Sequence, residues 1–100
     1  MNPQPMEALA KATEVRRARA ALKADIRLGK VTAVEVMEDE SPGEWLEGMA
    51  VLDVLSAHPG WGKRTALKAM SRAEVADGTT VGWLTRLDRY RLVDALEGRL

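Results

Sequence analysis

Pro59-Gly60-Trp61-Gly62-Lys63 holds the residue types in this chain best suited to chemistry. Glycine has no Cβ, so the backbone at Gly60 and Gly62 can come very close to a ligand. Lys63 follows with a full positive charge, and the segment from Lys63 to Ala76 reads as a basic amphipathic helix. The first N–H groups of such a helix have no partner within it, and its dipole is positive at the same end. Together these features make a cradle for phosphate. A cradle of this kind clamps a nucleic-acid backbone and leaves base edges unread. The same residues also fit a plain helix–helix turn, with Pro59 and Gly60 ending one helix before the next begins, and short glycine motifs often arise by chance.

Other chemistry is largely excluded. The chain has no cysteine, hence no disulfide, thiolate nucleophile or cysteine-based zinc site. His58 is the only histidine, so one chain cannot build a histidine metal cluster or a Ser-His-Asp triad. Glu38, Asp39, Glu40 and Glu44 would attract Mg²⁺ weakly, but their spacing fixes no geometry. No catalytic residue, metal or cofactor is expected. His58 either contacts a phosphate or caps and packs the helix before it. Trp61 either stacks on nucleic acid or anchors the turn. Trp45 and Trp83 are expected in the core.

The net charge is zero, but its distribution is uneven. Residues 1–30 carry seven Lys/Arg against three Asp/Glu, or +4, and residues 31–57 carry seven acids and no base, or −7. Residues 58–73 carry four bases and no acid, or +4, and the remainder comes to −1. Such a map governs binding more than its sum does. The segment from Met6 to Leu28 is rich in strong helix formers. Val15, Ala18, Leu22 and Ile26 mark its apolar face. Arg16, Arg19, Lys23, Arg27 and Lys30 follow at spacings of 3, 4, 4 and 3, which sets them in one basic stripe, with Arg17 beside it. A helix of that length spans roughly 35 Å, comparable to one turn of duplex. A solvated face is the bland reading of the same stripe.

The remaining elements read as short helices. Residues 1–5 are expected to fray. Thr32-Ala33-Val34-Glu35 has capping-box spacing and starts a helix to Met37 or Glu38, although 31–36 also passes for a strand. Trp45 to Ala57 reads as one or two buried helices. On the helix from Lys63 to Ala76, Arg64, Lys68 and Arg72 form a second basic row, while Ala66, Leu67, Met70 and Ala73 face the core. Thr79 to Leu84 is a second irregular turn, and Thr85-Arg86-Leu87-Asp88 starts a last helix to about Glu97. The expectation is an all-α chain with a flexible terminus at 1–5, a long basic helix at 6–30 and a globular core at 31–100. The first residues do not read as a signal peptide and no apolar run reaches membrane-span length, so a cytoplasmic protein with no membrane partner is expected.

Residues 49–63, Met-Ala-Val-Leu-Asp-Val-Leu-Ser-Ala-His-Pro-Gly-Trp-Gly-Lys, resemble the core of the actinobacterial integration host factor family. There a buried helix is followed by Leu-Pro-Gly-Val-Gly-Lys. The resemblance extends over most of the chain but is strong only at 49–63. It implies a long N-terminal helix on a helix–two-turns–helix core, a fold unrelated to the host factor built from β-arms. It also implies a nucleoid-associated architectural protein that binds duplex DNA with little sequence preference and assists site-specific recombination. By position it assigns phosphate contacts to Gly60, Gly62 and Lys63, and to Arg16, Arg17, Arg19, Lys23 and Arg27. Trp61 stands where the family has a small aliphatic residue, and Arg64 and Lys68 are shifted from its basic positions. The stretch before Leu84, usually arginine-rich, is Thr79-Thr80-Val81-Gly82-Trp83, so the second turn is expected to bind phosphate weakly. That turn and the neutral net charge, unusual for the family, suggest a divergent, phage-borne member.

The residues thus point first to a monomeric, non-enzymatic duplex-DNA binder using Arg16, Arg17, Arg19, Lys23, Arg27, Gly60, Trp61, Gly62, Lys63, Arg64 and Lys68. The second reading is a protein-interaction module or antagonist whose basic helix docks on an integrase or a nucleoid protein.

Overall fold

The structure is a computed structural model and describes residues 5–98. Residues 1–4 of the segment expected to fray lie outside the described residues, and Pro5 opens the first helix. The fold is all-α: α1 (Pro5–Arg27), α2 (Ala33–Glu38), α3 (Glu44–Glu47), α4 (Val51–Ala57), α5 (Lys63–Arg72), a single 3-10 turn (Val81–Trp83) and α6 (Arg86–Leu96). The possible strand at 31–36 is helix α2, capped by the Thr32 side chain, which accepts from the Glu35 N–H. Among the described residues there is no strand, only a lone antiparallel bridge between Ala50 and Thr80.

Without phenylalanine, the core is made of aliphatic residues and methionine. Ile26 of α1, Met37 of α2, Met49, Leu55 of α4, Met70 of α5 and Leu92 of α6 are almost wholly buried. α4 is central and touches α1, α2 and α5, and α6 closes the bundle against α2 and α5. The apolar face read on α1 is buried unevenly. Ile26 is enclosed and Leu22 packs on the core, while Val15 and Ala18 are half-buried and every residue from Met6 to Ala12 is exposed. Only the C-terminal half of α1 is docked, which gives the molecule its 48 × 27 × 22 Å extents.

α5 ends at Arg72 and not near Ala76. The chain reverses at Glu74, whose φ of 60° is left-handed, and the Val75 N–H returns to the Met70 carbonyl at 2.9 Å. This is a Schellman-type stop made without glycine. It buries Val75 and carries the chain back to the start of α4, where the Val51 N–H donates to the Thr79 carbonyl and the Val81 N–H to the Met49 carbonyl. α5 therefore runs back alongside α4. The 59–62 turn lies at the C-terminal end of α4 and the 3-10 turn at its N-terminal end.

Candidate nucleic-acid interface

The first turn is built by a few local bonds. His58 closes α4, its own N–H returning to the Leu55 carbonyl. The Trp61 N–H then donates to the His58 carbonyl at 2.9 Å, with Pro59 and Gly60 between them. Gly60 has a φ of 83°, so this is a type II turn with proline and glycine at their preferred positions. Here glycine is needed by the backbone itself.

Gly62 differs. Its φ of −105° and ψ of −175° suit any residue, and a Cβ added there meets nothing within 4 Å. Gly62 is the N-cap of α5 and offers no side chain to the helix end. Serine, threonine or aspartate would cap that end better. The N–H groups of Lys63, Arg64 and Thr65 precede the first intrahelical bond, which runs from Ala66 to the Gly62 carbonyl. They thus lie at a bare, positively polarised helix end. Lys63 and Arg64 are exposed beside it, and Lys68 and Arg72 continue the row along α5.

Trp61 is half-buried and packs on the core, edge-on to His58 with ring centroids 5.2 Å apart at 79°. The indole props the turn against α4, and His58 is occupied by the same contact. On α1, Arg16, Arg17 and Arg27 are exposed and Lys23 is half-buried, while Lys30, read as the last member of the stripe, is exposed beyond the helix, which ends at Arg27 before the left-handed Gly29. Arg19 is turned inward, with its Nε donating to the Trp45 carbonyl at 2.9 Å and its Nη2 lying over Gly48. It ties α1 to α3.

Trp45 packs on the core as expected, but Trp83 does not. Trp83 is 82 % exposed on the second turn, in a segment with no basic residue. The cause is local. Val81 and Leu84 are buried, and Gly82 is pressed against α3, where an added Cβ would lie 3.0 Å from the Glu47 Cβ and 3.1 Å from its carbonyl oxygen. With both sides of the turn inward, Trp83 faces out. Arg89 had no place in the sequence reading. It is buried and bridges the Met37 and Val81 carbonyls, at 3.0 Å each. Its spacing to Leu92 and Leu96 puts it on the inner face of α6, and that pattern was the available signal.

The chain is similar to sIHF, solved in a structure described as bound to an 8bp palindromic DNA: TM-score 0.78 and 26% sequence identity over 83% of this chain and 93% of that one. No protein-family model and no curated protein matches the chain. The shared fold supports a relationship to integration-host-factor-like proteins.

Proposed function

We propose that this protein is a non-enzymatic, architectural DNA-binding protein that holds duplex DNA by its phosphates. The observation that carries the reading is Gly62, a glycine for which the fold has no use, at the uncapped start of a helix that goes on with Lys63 and Arg64. A bare helix end of this kind needs the absence of a Cβ only when something outside the chain comes close. The likeness to sIHF, solved with DNA, supports the same reading. Two parts share the work: a long basic segment at 6–30, whose helix α1 contributes Arg16, Arg17, Lys23 and Arg27, and a core at 31–100, contributing the 60–63 turn with Arg64 and Lys68. Arg19 acts chiefly by holding α1 on α3. Trp61 shapes the turn and does not stack on bases.

Contacts to phosphate carry no sequence information, so the expected binding is non-specific and strongly weakened by salt. On this reading the protein acts as a monomer in the nucleoid and assists recombination by holding DNA in place. A titration with duplex, single-stranded DNA and RNA at two salt concentrations tests it. Preference for duplex with steep salt dependence is expected, and equal or absent binding to all three overturns the reading.

A further inference from the structure

Trp83 is the most exposed aromatic residue of the chain, and the fold holds it rigidly in that position. Val81 is wholly buried and bonded through its N–H to Met49 and through its carbonyl to Arg89. Gly82 abuts the backbone of Glu47, and Leu84 is buried. The indole thus projects from a turn fixed on both sides, with little left to order on binding. It forms one wall of a shallow groove of about 560 Å³, whose other wall is the 74–80 loop.

The charge of that groove is of one sign. Glu74, Asp77 and Asp88 line it together with Trp83, Thr79 and Thr80, and no basic residue does. Glu74 shares its charge with Arg91 at 3.0 Å, and Asp88 accepts from the Thr85 N–H. Asp77 has no internal partner among the described residues. Carboxylates repel phosphate, and the groove lies at the end of α4 away from Gly62 and Lys63. An exposed indole among carboxylates suits a cation on a flat or flexible stem: the guanidinium stacks on the ring and its charge meets the acids.

We propose that the Trp83 groove is a docking site for an arginine-rich segment of a partner protein. The site goes beyond the DNA-binding reading and stands without it. Because the two surfaces lie at opposite ends of α4, DNA and the basic segment can be held at once.

The probe is a short, end-capped, fluorescein-labelled arginine-rich peptide, titrated by anisotropy with the full chain, beside a glutamate counterpart of the same length. The arginine peptide is expected to bind saturably and the glutamate peptide not at all. Trp83→Ala and Asp77→Lys are each expected to weaken peptide binding about tenfold. Both positions are exposed, so the variants keep the fold, and circular dichroism checks this. Duplex DNA is titrated against the same proteins, and Trp83→Ala is expected to leave its affinity unchanged. Absent peptide binding, or peptide binding indifferent to Trp83→Ala, overturns the proposal. Loss of duplex affinity in Trp83→Ala overturns it as well and moves the indole to the DNA face.

Discussion

The Arg89 guanidinium donates to the Val81 carbonyl at 3.0 Å and so fastens the second turn to α6. The same guanidinium reaches the Met37 carbonyl at the end of α2. One charged side chain thus satisfies two carbonyls that the packing removes from water.

Arg89→Met should fill the volume but strand the Met37 carbonyl and leave the Val81 carbonyl only the Leu84 N–H, at 3.2 Å. The expected loss is about 1–3 kcal/mol, the range for stranding one buried acceptor. Arg89→Lys should recover only part, because a single ammonium lacks the planar fork that spans both oxygens. Urea denaturation measures this, and a wild-type midpoint for Arg89→Met would refute the role given to it.

Gly60 and Gly62 should respond in opposite ways to the same change. Gly60→Ala places a side chain at a φ of 83° and should cost about 1–2 kcal/mol. Gly62→Ala meets open space and should leave stability within about 0.5 kcal/mol of wild type. On the clamp reading it should nevertheless weaken duplex binding, since the methyl group would stand where phosphate is proposed to approach. Thermal melts and anisotropy on the two variants separate the effects. Undiminished duplex affinity in Gly62→Ala would remove the central argument for the clamp.

Lys63→Ala should reduce the slope of log affinity against log salt by about 0.9, and Arg16→Ala with Arg27→Ala by about 1.8, if each residue neutralises one phosphate. Arg19→Ala should show mainly in stability, by about 1 kcal/mol, because its Nε is spent on the Trp45 carbonyl. An Arg19→Ala protein with wild-type stability and a reduced slope would return that residue to the DNA-facing row.

Gly82→Ala should cost about 1–3 kcal/mol, since the new methyl group meets the Glu47 backbone at 3.1 Å. Rebuilding an arginine-rich second turn is thus blocked at Gly82 by packing, not by a positive φ. Thr80→Arg is the tolerated test of added charge. It should leave duplex affinity nearly unchanged, and a marked gain would put this turn on the duplex.

Local chemistry made most of the fold legible in the sequence. The reciprocal Thr85–Asp88 capping box and the Pro59-Gly60 turn are each written within four residues and form as read, while at Thr32 only the Thr32 half of the box forms. What escaped depends on contacts distant in sequence. Trp83 reads as core because large aromatics usually are, and its exposure follows from Gly82 meeting Glu47, a pairing across 35 positions that no local pattern announces. Arg19 fits the basic stripe by spacing, and only the placement of α3 turns it inward. The pattern carries α5 on to Ala76, but the helix stops at Arg72 because Glu74 takes a left-handed conformation that usually belongs to glycine or asparagine.

The free half of α1 has a thermodynamic consequence. From Met6 to Ala12 no side chain is buried, so these turns are held by helical hydrogen bonds alone and propagate from the docked half. A helical stretch this short is marginal in water by itself. Its amides should exchange with solvent far faster than those around Ile26, and heating should unwind it before the cooperative transition of the bundle. A polyanion lying along the whole of α1 would therefore shift a helix–coil equilibrium as it binds. Part of its binding energy would be spent on ordering, and a rise in helical ellipticity on complex formation would record that expense.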